Sequence, residues 1–175
     1  VNGEVEKILP QILSKVGDGF LDKIEKLKGV YIPGKTKEIT FAESAPFDSY
    51  PIYQPMPEGE VKNLVFGKVF MLETERGCPF NCNFCALPKE FGIRYRSLES
   101  IKKIIDDGLK LNDRQKVVIY TASFTHPDKK EIMKYLLSKK VRFNVPSIRI
   151  ETIDDEALEL IHQGGQKSLT IAPEC

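Results

Sequence analysis

Residues 68–85 read KVFMLETERGCPFNCNFC, and this stretch decides the fold. Lys68 to Thr74 has the make-up of a strand, and a loop carrying Cys78, Cys82 and Cys85 follows it at once. The texture beyond the loop alternates strand and helix. Ser97 caps a helix whose Leu98, Ile101, Ile104 and Ile105 face inward, and Lys116 to Tyr120 is a β-branched strand. Pro127 is placed as the first residue of the next helix, with Ile132, Met133, Leu136 and Leu137 on one face and Lys139 and Lys140 at its negative end. Val141 to Val145 returns as a strand. Thr152 with Asp155 fits a capping box, opening a helix that buries Ala157, Leu158 and Ile161 and stops at Gly164-Gly165. Lys167 to Ala172 predicts a fourth strand. The series predicts an α/β fold of βαβ units around a parallel sheet, with about four strands of a barrel wall and one edge unpaired.

Three of the four cysteines fall within residues 78–85, spaced by three residues and then two. In a reducing compartment such crowding points to metal or redox chemistry rather than disulfides. Thiolates are the natural ligands of iron-sulfur clusters, and three of them leave one iron of a four-iron cluster open for another ligand. A zinc site and a ferredoxin-type electron carrier stand beside this reading. Each wants a fourth ligand, and the remaining candidates, His126, His162 and Cys175, all lie far along the chain.

Working outward, 26 Lys and Arg against 25 Asp and Glu give a net charge of +1, so global charge provides no nucleic-acid signal and no argument for an anionic membrane. No apolar run approaches the ~20 residues of a spanning helix, and the N-terminus lacks a signal-peptide layout, which predicts a cytoplasmic protein. The chain starts without Met and stops on Cys175, as expected of a piece of something longer. Upstream, Val5, Ile8, Leu9, Ile12, Leu13 and Val16 share one helical face, with Pro10 as a kink and Gly17 as the stop. A short helix follows from Phe20 to about Lys28, and Val30-Tyr31-Ile32 reads as a strand. Residues 35–66, punctuated by Pro46, Pro51, Pro55 and Pro57, read as a linker.

The loop resembles the motif of the radical S-adenosylmethionine (SAM) superfamily, Cys-x3-Cys-x-aromatic-Cys, matched by Cys78, Cys82, Phe84 and Cys85. The resemblance implies a full or partial (β/α) barrel with its site at the C-terminal ends of the strands. It also implies a [4Fe-4S] cluster on the three cysteines, SAM on the open iron, and reductive cleavage of SAM to a 5'-deoxyadenosyl radical. Phe84 is implied to pack near the adenine. Thr121, Ala122 and Ser123 occupy the position of a Gly-Gly-Glu segment that holds the SAM amino group in many relatives, although Gly-Gly-Glu itself is missing. Ser147 and Arg149 resemble the Ser-x-Arg of one branch, which addresses the methionine carboxylate and ribose. Ala172-Pro173-Glu174 resembles that branch's Ala-Pro-Glu, making Glu174 a candidate SAM partner. Simpler readings pair Arg149 with Glu151 and Glu73 with Arg76.

Residues 3–32 look similar to the tail of a cobalamin-binding domain that precedes the barrel in B12-type members. They read equally as an amphipathic helical extension. The division is then 1–34 for that tail, 35–66 for the linker and 67–175 for the N-terminal part of the barrel. The resemblance implies a radical reaction on a substrate the sequence does not identify, including cobalamin-dependent methylation or rearrangement, and a reductant such as flavodoxin or ferredoxin. Two alternatives accompany it. One is a methylthiotransferase of RNA or protein, and the other is a non-enzymatic iron-sulfur or zinc module.

Overall fold

The computed structural model describes residues 1–47, 52–56, 64–87 and 92–171. Two compact units divide the chain, Val1–Ser49 and Tyr50–Cys175.

The first unit holds two short helices, α1 (Ile8–Leu13) and α2 (Phe20–Ile24), over a small core of Ile8, Ile24 and Val30. Both helices are shorter than their apolar spacing predicts. Pro10 does not kink α1, because it lies in the first turn, where the N–H it lacks would have no helical partner. Leu9, Leu13 and Val16 stay exposed, so the apolar stripe lacks a surface to pack against within this unit. Val30 to Ile32 is not a strand. Val30 N–H closes a turn on Leu27 and Ile32 N–H donates to the Thr36 hydroxyl, so neither amide is offered to a ladder. Gly3 and Ala42 make the single parallel bridge described in this unit.

The second unit is an α/β layer. Its three-stranded parallel sheet runs in the order β1 (Phe70–Leu72), β4 (Lys116–Ile119), β5 (Arg142–Asn144). Phe70 stands opposite Val117, and Val117 opposite Phe143. A second, antiparallel pair is formed by β2 (Glu75–Arg76) and β3 (Arg94–Tyr95), which flank the cysteine loop. Helices α3 (Leu98–Asn112) and α4 (Lys129–Ser138) connect the parallel strands, and α5 (Asp155–Gln163) follows β5. Phe70, Leu72, Val117, Ile119 and Phe143 from the sheet pack on Ile101, Ile105, Ile132 and Leu136 from the helices. Each such buried side chain contributes about 1.5–3 kcal/mol relative to exposure.

Helix ends show where local sequence rules hold and where tertiary contacts replace them. Ser97 accepts from Ser100 N–H at 3.2 Å, as an N-cap should. Helix α4 starts at Lys129 rather than Pro127, because the preceding turn is set by His126, whose carbonyl accepts Lys129 N–H. Asp154, not Thr152, caps α5 by accepting Ala157 N–H at 2.9 Å. Thr152 instead closes a 3-10 turn over Ile150–Thr152, its hydroxyl donating to Arg149 O at 2.9 Å. The fourth strand expected from Lys167 is, among the described residues, a single bridge between Ile148 and Ile171. There Ile148 N–H donates to Thr170 O at 3.0 Å. Ala172 lies outside the described residues.

The other edge of the sheet is closed by a side chain. The Gln54 amide donates to Met71 O and accepts Met71 N–H, both at 2.8 Å, copying the two bonds of a neighbouring strand. Asn112 fixes Gln54 in turn, accepting its N–H at 2.7 Å. On the opposite side, beyond β5, Phe143 N–H donates to Gly164 O at 3.0 Å and the Gln166 side chain accepts Val145 N–H at 2.8 Å.

Candidate metal and cofactor site

The neck of the cysteine loop is narrow and specific. Gly77 has φ +91°, and a Cβ there would come within 2.7 Å of Gly92 O, so only glycine fits where the outgoing and returning chains touch. Beneath the neck Glu73 takes two guanidinium groups. Arg76 binds it through two bonds of 2.8 Å, and the almost fully buried Arg96 through one of 3.0 Å. Arg96 also donates to Glu73 O at 2.8 Å. The ion pair of Glu73 with Arg76 anticipated from sequence is present, and Arg96 joins it.

The loop delivers its cysteines to one cavity of about 140 Å³. Cys78, Cys82 and Cys85 line it together with Phe80, Phe84 and Leu87 from the same loop. Ala122 and Ser123, following β4, and Ser147, Ile148 and Arg149, following β5, complete the lining. The walls therefore come from the C-terminal ends of successive parallel strands, where sites of barrel folds are built. Thr121 is not part of the lining, although it adjoins it in sequence. Glu174 lies outside the described residues, as does Cys175.

All three cysteines are free thiols. The Arg149 guanidinium stands 3.4 Å from Cys82 Sγ and 4.1 Å from the Phe80 ring centroid, a cation-π stack. It also pairs with Glu151, whose carboxyl is held below its ordinary range by its own backbone N–H first and by Arg149 second. Both readings of Arg149, solvent-side ion pair and cavity residue, thus describe the same side chain. Phe84 is 75% exposed at the cavity. Among the described residues the buried hydroxyls of Thr121 and Ser123 have no hydrogen-bond partner, a state that costs about 1–3 kcal/mol each, and that of Ser123 lies where a polar ligand in the cavity would relieve it.

The donor set suits an iron-sulfur cluster, with three soft thiols and a nearby guanidinium and, among the described residues, no carboxylate or imidazole in the lining. Among the described residues no three Cys, His, Asp or Glu side chains are drawn together as a closed ligand set. The thiols share a cavity and would have to converge on an ion or cluster. His126 is not available to complete a zinc site, because both ring nitrogens are engaged. Nδ1 accepts Asp128 N–H at 3.0 Å, so Nε2 carries the proton and donates to Arg96 O at 2.8 Å.

Sequence reasoning missed Glu75, Thr125 and the engaged His126. Glu75 is 1% exposed, and its Oε1 accepts both Thr125 N–H at 2.5 Å and the Thr125 hydroxyl at 2.8 Å. Only a charged residue inside an otherwise strand-like run could have signalled it. Phe80 was missed as well, since nothing in the sequence places its ring under Arg149.

Comparison with known proteins matches residues 72–175 to the radical SAM superfamily. An uncharacterised protein of Methanocaldococcus jannaschii is 33% identical over 159 residues, covering 89% of this chain and 31% of that protein. A protein of the same archaeon, named as a candidate methylthiotransferase, is 26% identical over 91% of this chain and 36% of its own length. A protein named as an uncharacterised methyltransferase of Pyrococcus horikoshii is 28% identical over 70% of this chain and 27% of its own length. The chain therefore spans about a third of the length of these relatives. The family match covers the cysteine loop, the strands β4 and β5 and every residue that lines the cavity, and the chain belongs to the radical SAM superfamily.

Proposed function

We propose that this chain carries the cluster-binding loop and the first wall of the SAM site of a radical SAM enzyme. Cys78, Cys82 and Cys85 would hold a [4Fe-4S] cluster. The observation that carries this reading is that three thiols and the residues after two parallel strands line one cavity. When bound, the cluster and SAM supply one-electron cleavage of the sulfonium to a carbon radical.

The chain's own residues bind and orient. Arg149 offers a planar fork suited to the methionine carboxylate, and it can turn from Glu151 to do so. Ser123 and Ser147 provide hydroxyls, and Thr121 and Ala122 the adjoining backbone, for the amino acid end of SAM. Phe84 provides an exposed ring to cover adenine. Glu174 completes the set by resemblance. Residues 1–34 are assigned to the end of a preceding domain, of the cobalamin-binding kind, with 35–66 as linker and 67–175 as the start of the barrel. The enzyme is placed in the cytoplasm with flavodoxin or ferredoxin as reductant. Among the described residues no helix is long and apolar enough to cross a membrane. The reaction is a radical reaction such as cobalamin-dependent methylation or rearrangement. Methylthiolation is the second reading, supported by the name of one relative. Three further cysteines upstream in the full-length protein would favour it.

Anaerobic reconstitution should load about four irons and four sulfides per chain. Cys82→Ala should lose them, and Cys175→Ala should keep them. Tight uptake of one zinc without broad visible absorption would overturn the assignment.

A further inference from the structure

We propose that Glu75 is a positioning residue that sets the cysteine loop against the Thr121–Ser123 arm of the cavity by clamping Thr125. The proposal rests on the cluster-and-SAM reading of that cavity. Glu75 opens the loop from β2, and Tyr95, paired opposite it in β3, closes it. The outgoing end is fastened by the Glu75 carboxylate to Thr125, 50 residues away, through both its backbone N–H and its hydroxyl. The returning end is fastened beside it. Arg96 O accepts from His126 Nε2 at 2.8 Å, and Tyr95 lies edge-on to the His126 ring at 5.3 Å between centroids. Residues 125 and 126 therefore grip both ends of the cysteine loop.

The grip is made in a water-poor place. Glu75, Arg96 and His126 are all 2% exposed or less. A buried carboxylate held by two donors fixes distance and direction better than an apolar contact, which is non-directional. Thr125 follows Ser123 by two residues, so any shift of the clamp moves the arm carrying the unpartnered Ser123 hydroxyl relative to the thiols. The Glu73 network ties the loop's two ends to each other, whereas Glu75 and His126 tie them to the next strand's loop. Loss of Glu75 should thus leave the thiols able to collect a cluster while misplacing the second wall.

The test compares Glu75→Leu, which removes the acceptor of both bonds, and Thr125→Val with the unaltered chain. Thr125→Val removes only the hydroxyl and keeps the backbone bond, so it guards against a variant that fails to fold. In reconstituted protein both variants should retain about four irons, while the SAM concentration needed to change the electron paramagnetic resonance spectrum of the reduced cluster rises roughly ten-fold. The double variant should be no worse than the worse single one, because both changes cut the same contact. In iron-free protein, amide exchange should quicken together in residues 76–87 and 121–125 of Thr125→Val and stay unchanged in α5. An unchanged SAM response with unchanged exchange in both variants would overturn the proposal, as would iron loss that tracks a lower melting temperature. If the unaltered chain takes up no cluster, the cavity reading fails by itself, and the exchange experiment alone decides whether Glu75 couples the two loops.

Discussion

At the scale of single residues, Glu75 has the most consequential surroundings in the chain. Burial pushes its carboxyl above the ordinary value of 4.5, against the opposing pull of Thr125's two bonds, the nearby His126 and the Thr74 hydroxyl. Lys129, itself shifted down chiefly by burial, adds a cation within electrostatic reach. A raised value means the folded protein holds this proton more tightly than the unfolded chain does. The stability Glu75 contributes is therefore complete below about pH 4.5 and lost as pH rises through its folded value. Glu75→Gln cannot titrate. The melting temperature of the unaltered chain minus that of the variant should fall as pH rises above 4.5, and a pH-independent difference would contradict the assignment. The cysteines were legible one by one because ligand type and spacing are written in the sequence. Glu75 was not, since its role depends on a residue 50 positions away.

Elements depend on close approach as much as on pattern. Gly108 in α3 lies against the Phe70 ring of β1, and a Cβ at that position would overlap the ring. Alanine is favoured over glycine within a helix by about 1 kcal/mol, whereas overpacking a filled core costs about 1–3 kcal/mol. Phe70 is fully buried and hemmed in by β4, so the steric cost should win. Gly108→Ala is expected to lower stability by up to about 2 kcal/mol in chemical denaturation. A rise in stability would mean that α3 can move off the sheet. The apolar spacing of α3 and α5 located both helices because their buried faces join the core, although in α5 Leu160 and not the exposed Leu158 is buried with Ala157 and Ile161. The same kind of spacing overestimated α1, whose exposed Leu9 and Leu13 find no such surface within their unit.

Over the whole molecule the cavity is the limiting feature. At about 140 Å³ it is smaller than the ~300–1,000 Å³ of ordinary small-molecule sites. This chain alone should accordingly load the cluster but bind SAM weakly and turn over no substrate. Dithionite reduction with SAM, followed by assay for 5'-deoxyadenosine, checks this, and tight SAM binding with multiple turnovers would sink it. The sequence by itself determined the strand-loop-helix order, the parallel α/β class and the spacing of three thiols, because these follow from local periodicity and ligand chemistry. Only the tertiary structure decided that Arg149 stacks on Phe80 beside Cys82, that His126 is engaged at both nitrogens, that Gln54 plugs the β1 edge and that Glu75 joins two loops. All of these but the Asp128 bond to His126 join residues far apart in the chain, and only packing sets which of many possible polar partners a buried group meets.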